Sequence, residues 1–208
     1  MEREYSMENN LHSICCNLIR RGFDAVACNN AKEALEFIVT RFPVNKKMLI
    51  GMGNSLTLET LNIKNEWRSQ VSAIYQHTPT SSHDETRKAL TADVYLTSAN
   101  AITRDGLIVN IDGTGNRTAA TCYGPQQIIF VIGRNKITAD LPEAIYRARN
   151  VAAVQNARRY NRKTPCSITG KCEDCLSPEC ICSVMTIHRR KPLGVQAIVI
   201  LVNEDMGL

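Results

Sequence analysis

Apolar positions along the chain switch between two spacings, and the switches mark out a series of helices and strands. From Met7 to Arg21 they recur at Leu11, Ile14, Cys15, Leu18 and Ile19. That three-and-four spacing puts one stripe on a helix, here about residues 7–21. Cys15 and Cys16 belong to that helix as ordinary packed thiols. Phe23–Cys28 is short and apolar and reads as a strand. Asn30 with Glu33 three residues later forms a capping-box-like start for a helix carrying Ala34, Leu35, Ile38 and Val39. Lys47–Met52 is a buried-strand candidate that runs at once into Gly51-Met52-Gly53-Asn54-Ser55 and a new helix.

The middle of the chain has a weaker pattern. Ser82–Leu90 predicts a helix and Ala92–Ser98 a strand. Ala101–Thr103 and Leu107–Ile111 predict a hairpin turned at Arg104-Asp105-Gly106. A second glycine loop, Asp112-Gly113-Thr114-Gly115-Asn116-Arg117, leads into a helix of small residues, and Gln127–Gly133 is a β-branched strand. Asp140 caps a long helix with Pro142 in its first turn, running to about Tyr160 and ended before Pro165. Val184–His188 and Val195–Val202 are the last strands. Strands alternating with helices predict an α/β domain with a largely parallel sheet over residues 1–208, without internal repeat or low-complexity linker.

Length and composition sharpen this picture without changing it. The 208 residues suit one sizeable domain, and the composition, 44% hydrophobic and 22% charged, is that of a globular protein. A net charge of +5 permits phosphorylated or carboxylated ligands. Only 5% of residues are aromatic, which disfavours nucleic acid by leaving few rings to stack on bases. The longest apolar runs are strand-length, so no membrane span is expected. The polar, acidic start MEREYSMENN is unlike an export signal, and a cytoplasmic location is expected.

The densest chemistry lies near the C-terminus, in the run CSITGKCEDCLSPECIC. Cys166, Cys172, Cys175, Cys180 and Cys182 are spaced C-x5-C-x2-C-x4-C-x-C. In a reducing compartment, where disulfides are rare, such clustered thiolates point to a bound metal. Ser167, Thr169, Gly170, Ser177 and Pro178 between them predict a loop folded around a ligand rather than a helix or strand. Tetrahedral zinc and a [4Fe–4S] cluster both fit four thiolates. Cys172-x2-Cys175 is the close pair that a structural zinc prefers. Cys180-x-Cys182 is too tight for a usual zinc knuckle, and the irregular spacing of Cys166, Cys172, Cys175 and Cys182 favours the cluster. Metal-free thiols remain a third reading. His188 sits in strand periodicity and reads as structural. The flanking Arg158, Arg159, Arg162, Lys163, Arg189, Arg190 and Lys191 could offset thiolate charge, dock an acidic redox partner, or simply face solvent.

Two glycine loops offer an anion site. In Gly51–Ser55, successive backbone N–H groups and a following helix N-terminus suit a phosphate or carboxylate, with Gly51, Gly53, Asn54 and Ser55 as candidate ligand-binding residues. The loop has neither the P-loop nor the Rossmann spacing, and a plain turn capped by Ser55 is the simpler alternative. In the second loop Gly113, Gly115, Asn116 and Arg117 are candidates for the same role. Arg117 suits bidentate anion binding, and Asp112 could orient or deprotonate a substrate. The alternative is a structural Asp112–Arg117 pair. Asn100 and Lys136 follow predicted strands, where α/β folds place ligand groups.

Five stretches together resemble the lactate-utilisation (LUD) domain family: GMGNSLTLETLNI (51–63), DVYLTSANAITRDGLIVNIDGTGNRTAA (93–120), VIGRNKI (131–137), PCSITGKCEDCLSPECIC (165–182) and VILVNEDMGL (199–208). The resemblance implies the fold shared by CoA transferases, ribose-5-phosphate isomerases and glucosamine-phosphate isomerases, a parallel-rich sheet flanked by helices. It also implies, for some members, a link to lactate oxidation through iron–sulfur and flavin partners. Cys166, Cys172, Cys175 and Cys182 match the cysteines of one branch, whereas Cys180 is extra, a bystander or a substitute ligand. No second carboxylate stands beside Asp112 and no glutamate lies in a nucleophile loop, which sets the chain apart from the isomerases and transferases.

The expectation is therefore an iron–sulfur protein in redox metabolism of a small anionic metabolite, with redox protein partners and room for a homodimer. One rival is an isomerase- or transferase-like enzyme with a structural zinc, in which Asp112 or Lys136 does proton chemistry. Another is a non-catalytic metal- or redox-sensing subunit.

Overall fold

In the computed structural model, which describes residues 2–78 and 81–208, two sheets organise the chain. The first has six strands, β1 (Asp24–Cys28), β2 (Leu49–Met52), β3 (Ala73–Gln76), β4 (Val94–Thr97), β7 (Gln127–Gly133) and β10 (Gln196–Val202), ordered β1-β10-β7-β4-β2-β3. Every pairing in it is parallel. Its central strands β7 and β10 are buried on both faces, which is why they read as unbroken apolar runs rather than alternating ones.

One face is covered by α2 (Ala31–Arg41), α3 (Leu56–Leu61) and α4 (Ile63–Arg68), which bring Ile38, Leu58, Leu61 and Trp67 onto Ile50, Leu96 and Val131. The other face is covered by α1 (Glu2–Arg20), through Leu11, Ile14, Cys15 and Leu18 against Phe130, Val199 and Leu201. The expected packing of Cys15 therefore holds, and burial, followed by the neighbouring Cys16 and Cys28, pushes its thiol up to about 11. Asn30 caps α2 by accepting from the Glu33 amide at 2.9 Å. The Glu33 carboxylate reaches back to the Asn29 amide at 2.8 Å, one residue earlier than a capping box would place it.

The predicted hairpin forms, but as part of a second sheet. Strands β5 (Ala101–Thr103) and β6 (Ile108–Asp112) pair antiparallel, with β8 (Ile137–Thr138) added beside β5 and β9 (Val184–His188) beside β6. The late strand Val184–His188 thus leaves the parallel sheet and follows the hairpin. Alternation explains how this sheet serves two layers: Ile102 and Ile108 face the large sheet, while Ala101, Val109 and Ile111 face a helix on the far side.

That far helix is α7 (Leu141–Arg147) and α8 (Ala153–Arg159), joined through a π-helical turn at Ala148–Ala152. Asp140 caps it from the Glu143 amide at 2.9 Å, with Pro142 in the first turn. Ala144, Ala148 and Ala153 lie against the second sheet, and their small side chains let the helix approach it closely. The remaining helices are α5 (His83–Leu90) and α6 (Asn116–Cys122). The cysteine run lies between α8 and β9, inside the last crossover to β10. It is not all loop: Pro165–Thr169 forms a short helix, α9, carrying Cys166, because Pro165 suits a first turn and Gly170 at φ 82° closes it.

Candidate functional site

Successive strands run outward from β2 to β3, then return to β4 on its other side and continue to β7 and β10. The order of strands therefore reverses between β2 and β4, and open α/β sheets bind ligands at the carboxyl ends there. A cavity of about 170 Å³ occupies that position. Its lining includes Asn54 and Ser55 after β2, His77 after β3, Ser98 and Asn100 after β4, and Lys136 after β7. The second loop contributes Asp112, Gly113, Asn116 and Arg117.

Asp112 and Arg117 anchor one wall. Arg117 Nε donates to Asp112 Oδ1 at 2.9 Å, and the Thr118 amide donates to Oδ2 at 2.6 Å. Arg117 Nη2 also donates to Asn100 Oδ1 and to the Ile111 carbonyl, both at 2.8 Å. Asp112 is 8% exposed with both oxygens engaged, so its carboxylate is placed to aim the guanidinium rather than to take a proton from a ligand. Gly53 lies off the cavity lining and packs behind this wall, where a Cβ would sit 3.3 Å from Thr97 Oγ1 and 3.5 Å from Arg117 Cδ.

Lys136 forms the floor and is 3% exposed. Its Nζ donates to Thr57 Oγ1 at 2.8 Å and to Ser98 Oγ at 2.9 Å, and both partners are neutral hydroxyls. Burial, then repulsion from Arg147 and Arg117, brings the amine down from 10.5 to about 7. The segment 204–208 packs against it, and a Cβ on Gly207 would lie 3.4 Å from Lys136 Nζ. Asn135 accepts from the Met206 amide at 3.1 Å and donates to the Gly207 carbonyl at 3.2 Å, tying this strap across the floor. Gly207 has φ 66°, and a Cβ there would lie 2.6 Å from Thr57 Oγ1, so the close approach requires glycine.

The mouth holds groups that sequence reasoning did not assign to the site: His77, Asn156, Arg159, Tyr160, Arg162 and Leu208. Asn54 donates to Tyr160 Oη at 2.6 Å and accepts from Arg159 at 3.3 Å, pinning the first loop to the end of α8. Burial lowers the pKa of His77, with Asp112 opposing. Asp112 is the sole carboxylic side chain among the described lining residues, against the guanidinium groups of Arg117, Arg159 and Arg162. The cavity therefore carries an excess of positive charge. Gly51 does not reach it: it lies within β2, where a Cβ would meet Ala89 O at 2.6 Å and Tyr95 Cδ2 at 2.7 Å. Gly115 also lies off the lining and supplies the left-handed turn, φ 78°, that starts α6. Both α3 and α6 are short, six and seven residues, so the cations outweigh any helix macrodipole.

A second cavity, of about 680 Å³, is lined by all five clustered cysteines. Cys180 and Cys182 approach to 3.1 Å between sulfurs, which brings the extra cysteine into the group. Burial, then the hydrogen bond and charge of Cys180, then the charges of Cys172 and Cys175, push the Cys182 thiol up to about 12. Arg149, in the π-helical turn, donates to Cys172 Sγ at 3.4 Å, and Asn150 accepts from the Cys172 amide at 3.0 Å. Thr164 Oγ1 lies 3.2 Å from Cys166 Sγ. Among the described residues, no three His, Cys, Asp or Glu side chains gather closely enough to hold a single ion. His188 is buried away from the cysteines, with Nε2 at 3.0 Å from the Thr121 carbonyl, in the structural position expected of it.

The two cavities adjoin. Ile111, Ala153 and Ile181 line both, and a Cβ on Gly113 would lie 3.0 Å from Ile181 Cα. The cysteine run is thus seated directly on the loop that carries Asp112 and Arg117.

These features define an α/β protein with a cationic pocket at its strand ends and a thiol-lined cavity behind one wall. The LUD domain matches residues 14–202, and the chain belongs to that family. A crystal structure of a DUF162 family protein from Deinococcus radiodurans is similar in fold, with a TM-score of 0.53 at 16% identity over 94% of this chain and 97% of that one. The crystal structure of eIF2B beta from Chaetomium thermophilum gives a TM-score of 0.36 at 12% identity, over 54% of this chain and 44% of that one, a likeness too remote to carry weight. No curated protein matches the chain in sequence. Among the described residues no helix is long and apolar enough to cross a membrane.

Proposed function

We propose that this LUD-domain protein is an iron–sulfur protein in the redox metabolism of a small anionic compound, a carboxylate such as lactate or a phosphate. The observation that carries the reading is the shared wall of Ile111, Ala153 and Ile181 between a cation-rich pocket and a cavity lined by five thiols. A ligand in the first cavity would lie one side-chain layer from a group held in the second.

Support for that reading comes from the five cysteines that line one cavity. Zinc needs four ligands gathered at one point, with sulfurs about 2.3 Å from the ion. A [4Fe–4S] cluster gives each thiolate its own iron and suits thiols spread around a larger space. Cys166, Cys172, Cys175 and Cys182 would hold it, with Cys180, beside Cys182, as a fifth donor in reach of the same space. When bound, such a cluster supplies one-electron transfer. The Arg149 guanidinium beside Cys172 would offset thiolate charge.

In the pocket, Arg117 is held in place by Asp112 and Asn100, and Arg159 by Asn54 and Glu59. Both would take the anionic end of the ligand. Lys136 is buried on the floor, and such burial would strengthen charge interactions with a bound anion. Anaerobic purification followed by iron, sulfide and zinc assay tests the reading. About four irons and four sulfides per chain are expected. A colourless protein with stoichiometric zinc would sink it.

A further inference from the structure

Lys136 is a buried amine facing a pocket, and nothing in the redox reading uses it as more than a charge. We infer that Lys136 bonds covalently to the carbonyl carbon of a small aldehyde or ketone that carries a carboxylate or phosphate, forming an imine on the pocket floor. The inference rests on reading the pocket as an anion site, and it names the chemical class of the ligand.

Three observations converge on it. First, Lys136 lines the cavity while only 3% exposed, so its side chain is shielded from bulk water at the pocket wall. Second, its two partners are the hydroxyls of Thr57 and Ser98. An ammonium kept for structure would be expected to find a carboxylate, because a buried charge without one is costly. The charged groups bearing on it are Arg147 from α7 and Arg117 from α6, and both oppose its proton. A neutral amine with a free lone pair is the nucleophilic form. Third, Arg117 and Arg159 line the same cavity. They would hold an anionic group while the floor amine meets the carbonyl, the positioning that makes such an addition efficient.

The step balances without an oxidant. The amine nitrogen bonds to the carbonyl carbon, and its proton passes to the former carbonyl oxygen, a transfer that the Ser98 hydroxyl, which touches Nζ and lines the cavity, would relay. The hydroxyl then takes up one proton from solvent, the carbon–oxygen bond breaks, water leaves, and a protonated imine remains. Water reverses both steps. While it lasts, the imine draws electrons from the adjacent carbon and eases loss of a proton there.

Reductive trapping tests the inference. The full chain is incubated separately with pyruvate, glyceraldehyde 3-phosphate or propanal in the presence of cyanoborohydride, and labelled lysines are mapped by peptide mass spectrometry. Calorimetry of pyruvate and inorganic phosphate binding runs in parallel. The expected result is labelling dominated by Lys136, about tenfold faster with an anionic carbonyl than with propanal, and rising as pH passes through about 7. Labelling by pyruvate alone assigns a carboxylate ligand; labelling by the triose phosphate alone assigns a phosphate. Lys136→Arg should lose the adduct at that position while far-ultraviolet circular dichroism stays that of the wild type. Binding without an adduct at Lys136, or labelling spread evenly over surface lysines, overturns the imine and leaves the anion site standing. Absence of any binding removes the anion site and the imine with it.

Discussion

Replacing Lys136 with methionine offers a thermodynamic test of the pocket floor. Methionine keeps most of the side-chain volume and removes the ammonium. Thr57 Oγ1 retains its bond to the Met206 carbonyl at 3.1 Å and Ser98 Oγ its contact with the Ala99 carbonyl at 3.5 Å, so neither hydroxyl is left without an acceptor. The pH dependence then isolates the amine. In the folded chain it sheds its proton near pH 7, whereas in the unfolded chain it holds the proton to 10.5. Between those values the unfolded state binds more protons, and stability rises with pH. Below about pH 7 both states are protonated and the full cost of the buried charge stands.

One pKa unit is worth about 1.4 kcal/mol, so the wild type should gain about 2–3 kcal/mol relative to Lys136→Met between pH 7 and 9. Urea unfolding of both proteins in reductant, at pH steps from 6 to 9, measures that difference, and all other titrating groups cancel. Two stability curves that run parallel across the range would refute the reasoning.

Three other changes probe the walls. Arg117→Met strands the Asp112 carboxylate in a half-closed wall and removes donors from Asn100 and Ile111. A loss of about 3 kcal/mol in urea unfolding is expected, together with loss of phosphate binding by calorimetry. Gly113→Ala puts a methyl 3.0 Å from Ile181 Cα. The cysteine run must shift, at a cost of about 1 kcal/mol, and iron content should fall while far-ultraviolet circular dichroism is unchanged. Cys182→Ser should lower iron and sulfide per chain, whereas Cys122→Ser, at an exposed thiol outside the group, should leave both assays at the wild-type level.

Much of the architecture was legible because the strands that matter are buried on both faces. Gln127–Gly133 and Val195–Val202 could hardly be anything else, and the helix starts at Asn30 and Asp140 carried their capping residues on the surface of the sequence. β3 was missed because Ala-Ile-Tyr-Gln is only partly buried at the sheet edge and lacks a strong apolar run. The second sheet was half visible. The hairpin showed in its turn residues, but the pairing of β6 with β9 joins segments more than seventy residues apart, beyond any local pattern.

The site divided in the same way. Asp112, Arg117, Asn100, Lys136 and Asn54 were found because each follows a strand or sits in a glycine loop. His77 follows the missed strand and was lost with it. Arg159 and Tyr160 reach the pocket from α8, over one hundred residues from their contacts with Asn54, and they looked like surface in one dimension. Gly51 was misread for the opposite reason. Its neighbours Ala89 and Tyr95 are distant in sequence, so a glycine needed for strand packing passed for part of a loop. Cys180, which the family resemblance left open as a bystander or a substitute ligand, lies beside Cys182 in space.

The claim that an anion pocket shares a wall with a cluster site is tested most directly by electron paramagnetic resonance. The anaerobically purified, dithionite-reduced protein would be recorded alone and with saturating pyruvate or phosphate. A reduced [4Fe–4S] signal whose g-values shift with the anion, and fail to shift in Arg117→Met, is the result expected. A protein with zinc in place of iron, or a cluster signal that no anion moves while calorimetry shows the anion bound, would contradict it.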